Sequence, residues 1–151
     1  MELILKKLTD VCDLLNNQCI ITGSCADFFH IDYKDIDDID IIIETQHFNQ
    51  SMLDDKRIII IAKLVSKKDG HLLYRCLFNL TKLDILVKDT NLIDFEVELM
   101  SCNDKIYRVC SKKSRYDQLM NNTYRKLKNE THIAKKLEKV NERIKLYKFI
   151  I

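Results

Sequence analysis

The residues best suited to chemistry in this 151-residue chain are acids: Asp38 and Asp40 in Asp38-Ile39-Asp40, and Asp84 in Leu83-Asp84-Ile85-Leu86. Side chains of a strand alternate faces, so Asp38 and Asp40 point one way while Ile39 and Ile41 point into the opposite layer. With Asp84 on a neighbouring strand, three negative charges converge, and like charges about 4 Å apart repel by roughly 4 kcal/mol at an effective dielectric near 20. Something positive must balance them. A hard divalent cation with oxygen ligands fits, Mg²⁺ in particular, because it combines a few carboxylates with substrate phosphates. Asp37 is the neighbouring confounder, but it would point with Ile39, so the register favours Asp38 and Asp40. The Asp-rich run 32–40 also reads as a solvated loop. Against that, the β-branched Ile39, Ile41, Ile42 and Ile43 mark a strand, with the acids at its mouth.

Gly23-Ser24 follows the apolar run Cys19-Ile20-Ile21 and precedes Cys25-Ala26-Asp27-Phe28-Phe29, which is the order strand, turn, helix. Glycine lets a backbone approach a phosphate closely, and the amides of a new helix N-terminus carry partial positive charge toward the same place. An ordinary capping box between Ser24 and Asp27 is the plainer reading of these residues, and the two are compatible.

Together, Gly23-Ser24, Asp38-Ile39-Asp40 and Leu83-Asp84-Ile85 resemble the nucleotidyltransferase superfamily, the group that includes DNA polymerase beta and the minimal antibiotic- and toxin-type nucleotidyltransferases. The resemblance spans about residues 18 to 88. It implies a mixed β-sheet flanked by helices, of the α/β (α+β) class, with a C-terminal helical extension. It further implies that Gly23 and Ser24 hold the nucleoside triphosphate, and that Asp38, Asp40 and Asp84 bind two Mg²⁺ ions and act as the catalytic acids. The reaction would move a nucleoside monophosphate from an NTP to a hydroxyl and release pyrophosphate. Asp84 would then touch only the ion that activates the acceptor. The chain departs from the pattern in two ways. Its turn has one glycine after Thr22 where many members have two, and Cys25-Ala26-Asp27 stands where polymerase-type members carry an arginine that holds phosphate. Among the later cations, Lys112, Lys113, Arg115, Arg125 and Lys126 are all candidates for that role.

Hydrophobic content of 46% and charged content of 32% describe an ordinary folded protein rather than a disordered one. The six cysteines include no Cys-x-x-Cys pair and read as reduced, mostly buried thiols of a cytoplasmic protein. Lysines interrupt the apolar N-terminus, which reads as an amphipathic helix, and no run is long enough to cross a membrane. The net charge of +2 hides a division: residues 1–104 hold 11 Lys/Arg against 19 Asp/Glu, while 105–151 hold 14 against 4. A basic block of this kind suits nucleic acid or a triphosphate, or else serves as counter-charge to the acidic remainder.

The elements that must position these residues follow from periodicity. A helix is expected over 2–16, a strand over 18–22, a helix over 24–31 and a strand over 38–44. Thr45 would cap a helix through about Asp55. A strand over 57–65 would turn at Lys67-Lys68-Asp69-Gly70 into a partner over 72–78, followed by the strand 83–87 that bears Asp84. Leu92–Leu99 fits helix and strand almost equally, and Ile106–Val109 is a short strand. Helices are expected from Ser114 to about Asn129 and from near Thr131 onward. The last carries Ile133, Leu137, Val140, Ile144, Tyr147 and Ile151 on a seam that packs on the body of the chain or, second, on another copy. The chain thus divides into a catalytic core, 1–104, and a basic helical segment, 105–151. His30 and His132 read as surface or packing residues. Three functions remain in order: a small Mg²⁺-dependent nucleotidyltransferase acting on a small molecule, protein or RNA; a minimal repair-type DNA polymerase using the basic segment; and a non-catalytic binding or toxin-antitoxin partner with the same fold.

Overall fold

The computed structural model describes residues 2–66, 70–126 and 133–151. A seven-stranded mixed sheet forms its centre. The strands are β1 (Ile20–Thr22), β2 (Asp38–Glu44), β3 (Ile58–Val65), β4 (Leu72–Phe78), β5 (Thr81–Lys88), β6 (Val97–Cys102) and β7 (Lys105–Cys110), in the spatial order β3-β4-β5-β2-β1-β7-β6. The helices are α1 (Glu2–Leu14), α2 (Gly23–Ile31), α3 (Lys112–Lys126) and α4 (Ile133–Ile150). β2 and β5 run parallel at the middle, which sets the two acid-bearing strands side by side.

Period-two patterning explains why these strands hold that position. Ile39, Ile41 and Ile43 of β2 and Leu83, Ile85 and Val87 of β5 are all buried in one apolar cluster, together with Leu8 and Val11 of α1 and Leu15 just after it. Burying a side chain of this size contributes about 1.5–3 kcal/mol, so a one-residue slip, which would exchange these residues for the acids, is strongly disfavoured. A smaller cluster joins Leu119 of α3 to Ile144 and Tyr147 of α4, with Ile31 of α2 packed against it. The C-terminal seam is therefore used within the chain. The strand β7 (105–110) runs parallel to β1 inside the sheet, so the residues just after 104 are sheet and the helices begin at Lys112.

Several local expectations change. The helix expected from Thr45 to Asp55 is replaced by two short 3₁₀ turns, Thr45–His47 and Gln50–Leu53. Phe48 and Asn49 are extended between the two turns, and Asn49 caps the second by accepting the Ser51 amide at 3.0 Å. The ambiguous Leu92–Leu99 region resolves as a 3₁₀ turn, Thr90–Leu92, and the start of β6. The Ser24–Asp27 capping box does not form: Thr22 is the N-cap of α2 and no side chain caps it. His30 is a packing residue whose Nε2 donates to the Cys110 carbonyl at 2.6 Å. None of the cysteines is in a disulfide, and only Cys102 is not buried. The turn residues 67–69, the segment 127–132 with Leu127, Asn129, Thr131 and His132, and the side chains of Arg125, Lys126 and Ile133 lie outside what is described.

Candidate active site

A single row of aligned residues crosses four strands. Thr22 of β1 pairs with Asp40 of β2, Asp40 with Asp84 of β5, and Asp84 with Arg75 of β4. Directly aligned residues project from the same sheet face, so Asp40 and Asp84 are immediate neighbours there. Asp38 aligns with Lys82 one step away on the same face.

β1 ends at this row because Gly23 takes a left-handed conformation, φ +61°, and turns the chain directly into α2. A β-carbon at Gly23 would lie 2.6 Å from Asp40 Oδ2. Glycine is thus required twice over, by its dihedral and by the closeness of the carboxylate. Thr22 Oγ1 donates to the Asp40 carbonyl at 3.1 Å and fixes the turn to β2. Ser24 Oγ reaches the Asp38 carbonyl at 3.5 Å, which leaves it at the start of α2 beside the acid-bearing strand.

These elements enclose a cavity of about 290 Å³ lined by Thr22, Gly23, Asp40, Asp84, Arg115 and Gln118, with Ile42, Leu73 and Leu86 among its apolar walls. Two of the three acids singled out in the sequence meet here. Asp38 lies outside the lining, and among the described residues no set of three or more His, Cys, Asp or Glu side chains gathers closely enough to hold a metal ion. Its charge is nevertheless felt. Burial, then Asp84 and then Asp38 push the Asp40 carboxyl up to about 6, against the opposing pull of Arg115. Burial also raises Asp84, with Arg75 opposing and Asp38 reinforcing. Two aligned carboxylates whose charged forms are both disfavoured, by burial and by neighbouring acids, are the electrostatic signature of a place prepared for positive charge. Cys25, beside them, is pushed up to about 12 by burial and by Asp40, so it stays a neutral thiol.

Behind the turn lies an arrangement that the sequence reading missed. Asp27 is fully buried on α2 and accepts four hydrogen bonds from the C-terminal helices. Arg115 approaches with two nitrogens, Nε to Oδ1 at 2.7 Å and Nη2 to Oδ2 at 3.0 Å. Arg143 Nη1 adds a bond at 2.8 Å and the Tyr147 hydroxyl one at 2.5 Å. The available signal was Asp27 itself, an acid within the otherwise apolar Cys25-Ala26-Asp27-Phe28-Phe29.

No protein-family model matches the sequence, and a search of curated proteins finds no relative. Solved structures do match. ANT(2")-Ia in complex with adenylyl-2"-tobramycin is similar over 95% of this chain and 85% of its own, with a TM-score of 0.61 at 13% identity. An antigenic nucleotidyltransferase-like protein from Paracoccidioides brasiliensis aligns with 93% of this chain and 71% of its own, at a TM-score of 0.55 and 13% identity. A candidate nucleotidyltransferase from Thermotoga maritima aligns with 91% of this chain and 94% of its own, again at a TM-score of 0.55 and 13% identity. The chain has the nucleotidyltransferase fold: a mixed sheet whose parallel central strands bear the acids, flanked by helices.

Proposed function

We propose that this protein is a Mg²⁺-dependent nucleotidyltransferase that moves a nucleoside monophosphate from an NTP to a hydroxyl acceptor and releases pyrophosphate. The observation that carries the reading is the pairing of Asp40 with Asp84 in one cavity against the left-handed Gly23 at the start of α2. The donor chemistry fits magnesium. Both groups are carboxylates, the cavity leaves room for phosphate oxygens, and Mg²⁺ binds through one or two carboxylates plus substrate phosphates. Asp40 and Asp84, with Asp38 beside them, would hold the two ions expected; when bound, such ions neutralise phosphate charge and make the acceptor hydroxyl more acidic.

The remaining work is positioning. Amides at the start of α2 would face the phosphates, and the glycine turn permits their close approach. The acceptor oxygen forms a bond to the α-phosphorus as the bond from that phosphorus to the bridging oxygen of pyrophosphate breaks. The hydroxyl proton leaves toward Asp84, the carboxylate aligned with Asp40 on the same sheet face. Incubation with each labelled triphosphate and Mg²⁺, followed by a search of the protein itself, bulk RNA and small metabolites for label, tests the proposal. Label on one acceptor class, lost in Asp40→Asn, supports it. A variant as active as the parent removes the assignment, and absence of label from every acceptor with all four triphosphates sinks the activity.

A further inference from the structure

We infer that Arg115 receives the phosphates of the incoming triphosphate and that buried Asp27 is its positioning residue; the inference rests on the nucleotidyl-transfer reading and names the cation that reading lacks. The chain has no arginine just after Ser24, and its later cations were indistinguishable in sequence. In the fold they separate. Lys112 is bonded to Glu98 at 2.9 Å, and Lys113 is exposed and outside the cavity. Arg115 alone of the described candidates lines the cavity that holds Asp40 and Asp84.

Arginine is almost never fully buried without a partner. Arg115 is only 7% exposed, and its partner is the two-point contact with Asp27. That contact uses Nε and Nη2 and fixes the guanidinium plane. Nη1 is left with a single long bond, 3.4 Å to Gln118, itself a residue of the cavity wall. A planar fork held on one edge and open on the other matches phosphate oxygens in a way a mobile lysine does not.

The charges point the same way. One carboxylate, Asp27, faces two guanidiniums, since Arg143 also donates to it. The neutral Tyr147 hydroxyl adds no charge, so the group carries one surplus positive charge. Arg115 is the guanidinium that lies beside the acid pair, where magnesium would cancel the carboxylates and leave its open edge to an anion.

The test is calorimetric binding of inorganic tripolyphosphate with Mg²⁺, which probes phosphate recognition without base, acceptor or turnover. Arg115→Gln should weaken binding at least tenfold, and Asp27→Asn about threefold or more, while Mg²⁺ binding alone is not weakened in Arg115→Gln. Arg143→Gln is the decisive control, because it removes the other guanidinium bonded to Asp27, from outside the cavity; it should stay within twofold of the parent. If Arg115→Gln fails to fold, Arg115→Lys, which keeps the charge and loses the fork, should show at least a threefold loss when measured well below its own melting temperature. Parent-like binding by these Arg115 variants, equal losses in Arg115→Gln and Arg143→Gln, or a parent protein that ignores tripolyphosphate would overturn the inference. A parent that binds tripolyphosphate but labels no acceptor would sink the transfer reading and leave Arg115 in place.

Discussion

Asp40→Asn should make the metal-free protein more stable while removing its activity. The folded protein holds the Asp40 proton more tightly than the unfolded chain does, since the carboxyl rises from an ordinary 3.8 to about 6. Between those values the unfolded state binds fewer protons than the folded one, so stability falls as pH rises through the window and levels off above it. Each tenfold step in the proton equilibrium is worth about 1.4 kcal/mol, so the full gap is about 3 kcal/mol at pH 7.5. Asparagine keeps the shape without the charge and should recover about 2 kcal/mol of that, or roughly 5 °C in melting temperature for a domain of this size. Melting curves in EDTA at pH 7.5 and 4.5 measure it: the variant leads clearly at the higher pH and the lead narrows at the lower, where wild-type Asp40 is mostly protonated when folded. Added Mg²⁺ should raise the wild-type midpoint and leave the variant unmoved. A variant less stable than wild type in EDTA at pH 7.5, or an advantage that grows toward pH 4.5, would refute the electrostatic account of the acid pair.

Asp84→Asn should keep measurable Mg-nucleotide binding and abolish transfer, read by calorimetry beside the labelling assay; equal loss of both would argue against a role at the acceptor. Gly23→Ala forces a β-carbon into the left-handed region and against Asp40, so it should cost about 1–3 kcal/mol in denaturant melts and eliminate transfer. Gly70→Ala, at φ +69° with nothing within 4 Å, is the matched control: about 1 kcal/mol lost, transfer intact. Tyr147→Phe removes a donor from buried Asp27 and should lower stability by about 1–2 kcal/mol, visible in the same melts.

What the sequence disclosed and what it withheld divide along one physical line. Asp40, Asp84 and Gly23 were legible because their signals are local: period-two alternation sets the face of each acid, and Gly-Ser after an apolar run marks a turn into helix. The alignment of Asp40 with Asp84 depends on β2 and β5 lying side by side in parallel, which no local pattern states. The Asp27–Arg115 contact joins residues 88 positions apart and has no local pattern at all. Ser24 and Asp27 had the spacing of a capping box, yet a buried carboxylate gains more from two guanidiniums than from one amide, and the tertiary partners won. The helix expected after Thr45 failed for the opposite reason. Its chain turns extended at Phe48 and Asn49, and its residues had too little apolar periodicity to hold one continuous helix.

The division of charge between the two parts of the chain acquires a structural meaning from the same contacts. Among the described residues, six cations of 105–151 each face an acid from residues 1–104: Lys105 with Asp13, Arg108 with Glu44, Lys112 with Glu98, Lys139 with Asp35, and both Arg115 and Arg143 with Asp27. Exposed pairs of this kind contribute little singly, about 0–1 kcal/mol, and less in salt. The Asp27 contacts differ because they are buried, so breaking one leaves a charge without water or partner, at a cost of about 3–5 kcal/mol. Much of the basic segment is therefore counter-charge to the acidic part of its own chain, and raising salt should loosen its rim while leaving the Asp27 cluster closed. If high salt instead released α3 and α4 together, as followed by hydrogen exchange of their amides, the buried cluster would not be what fastens them to α2.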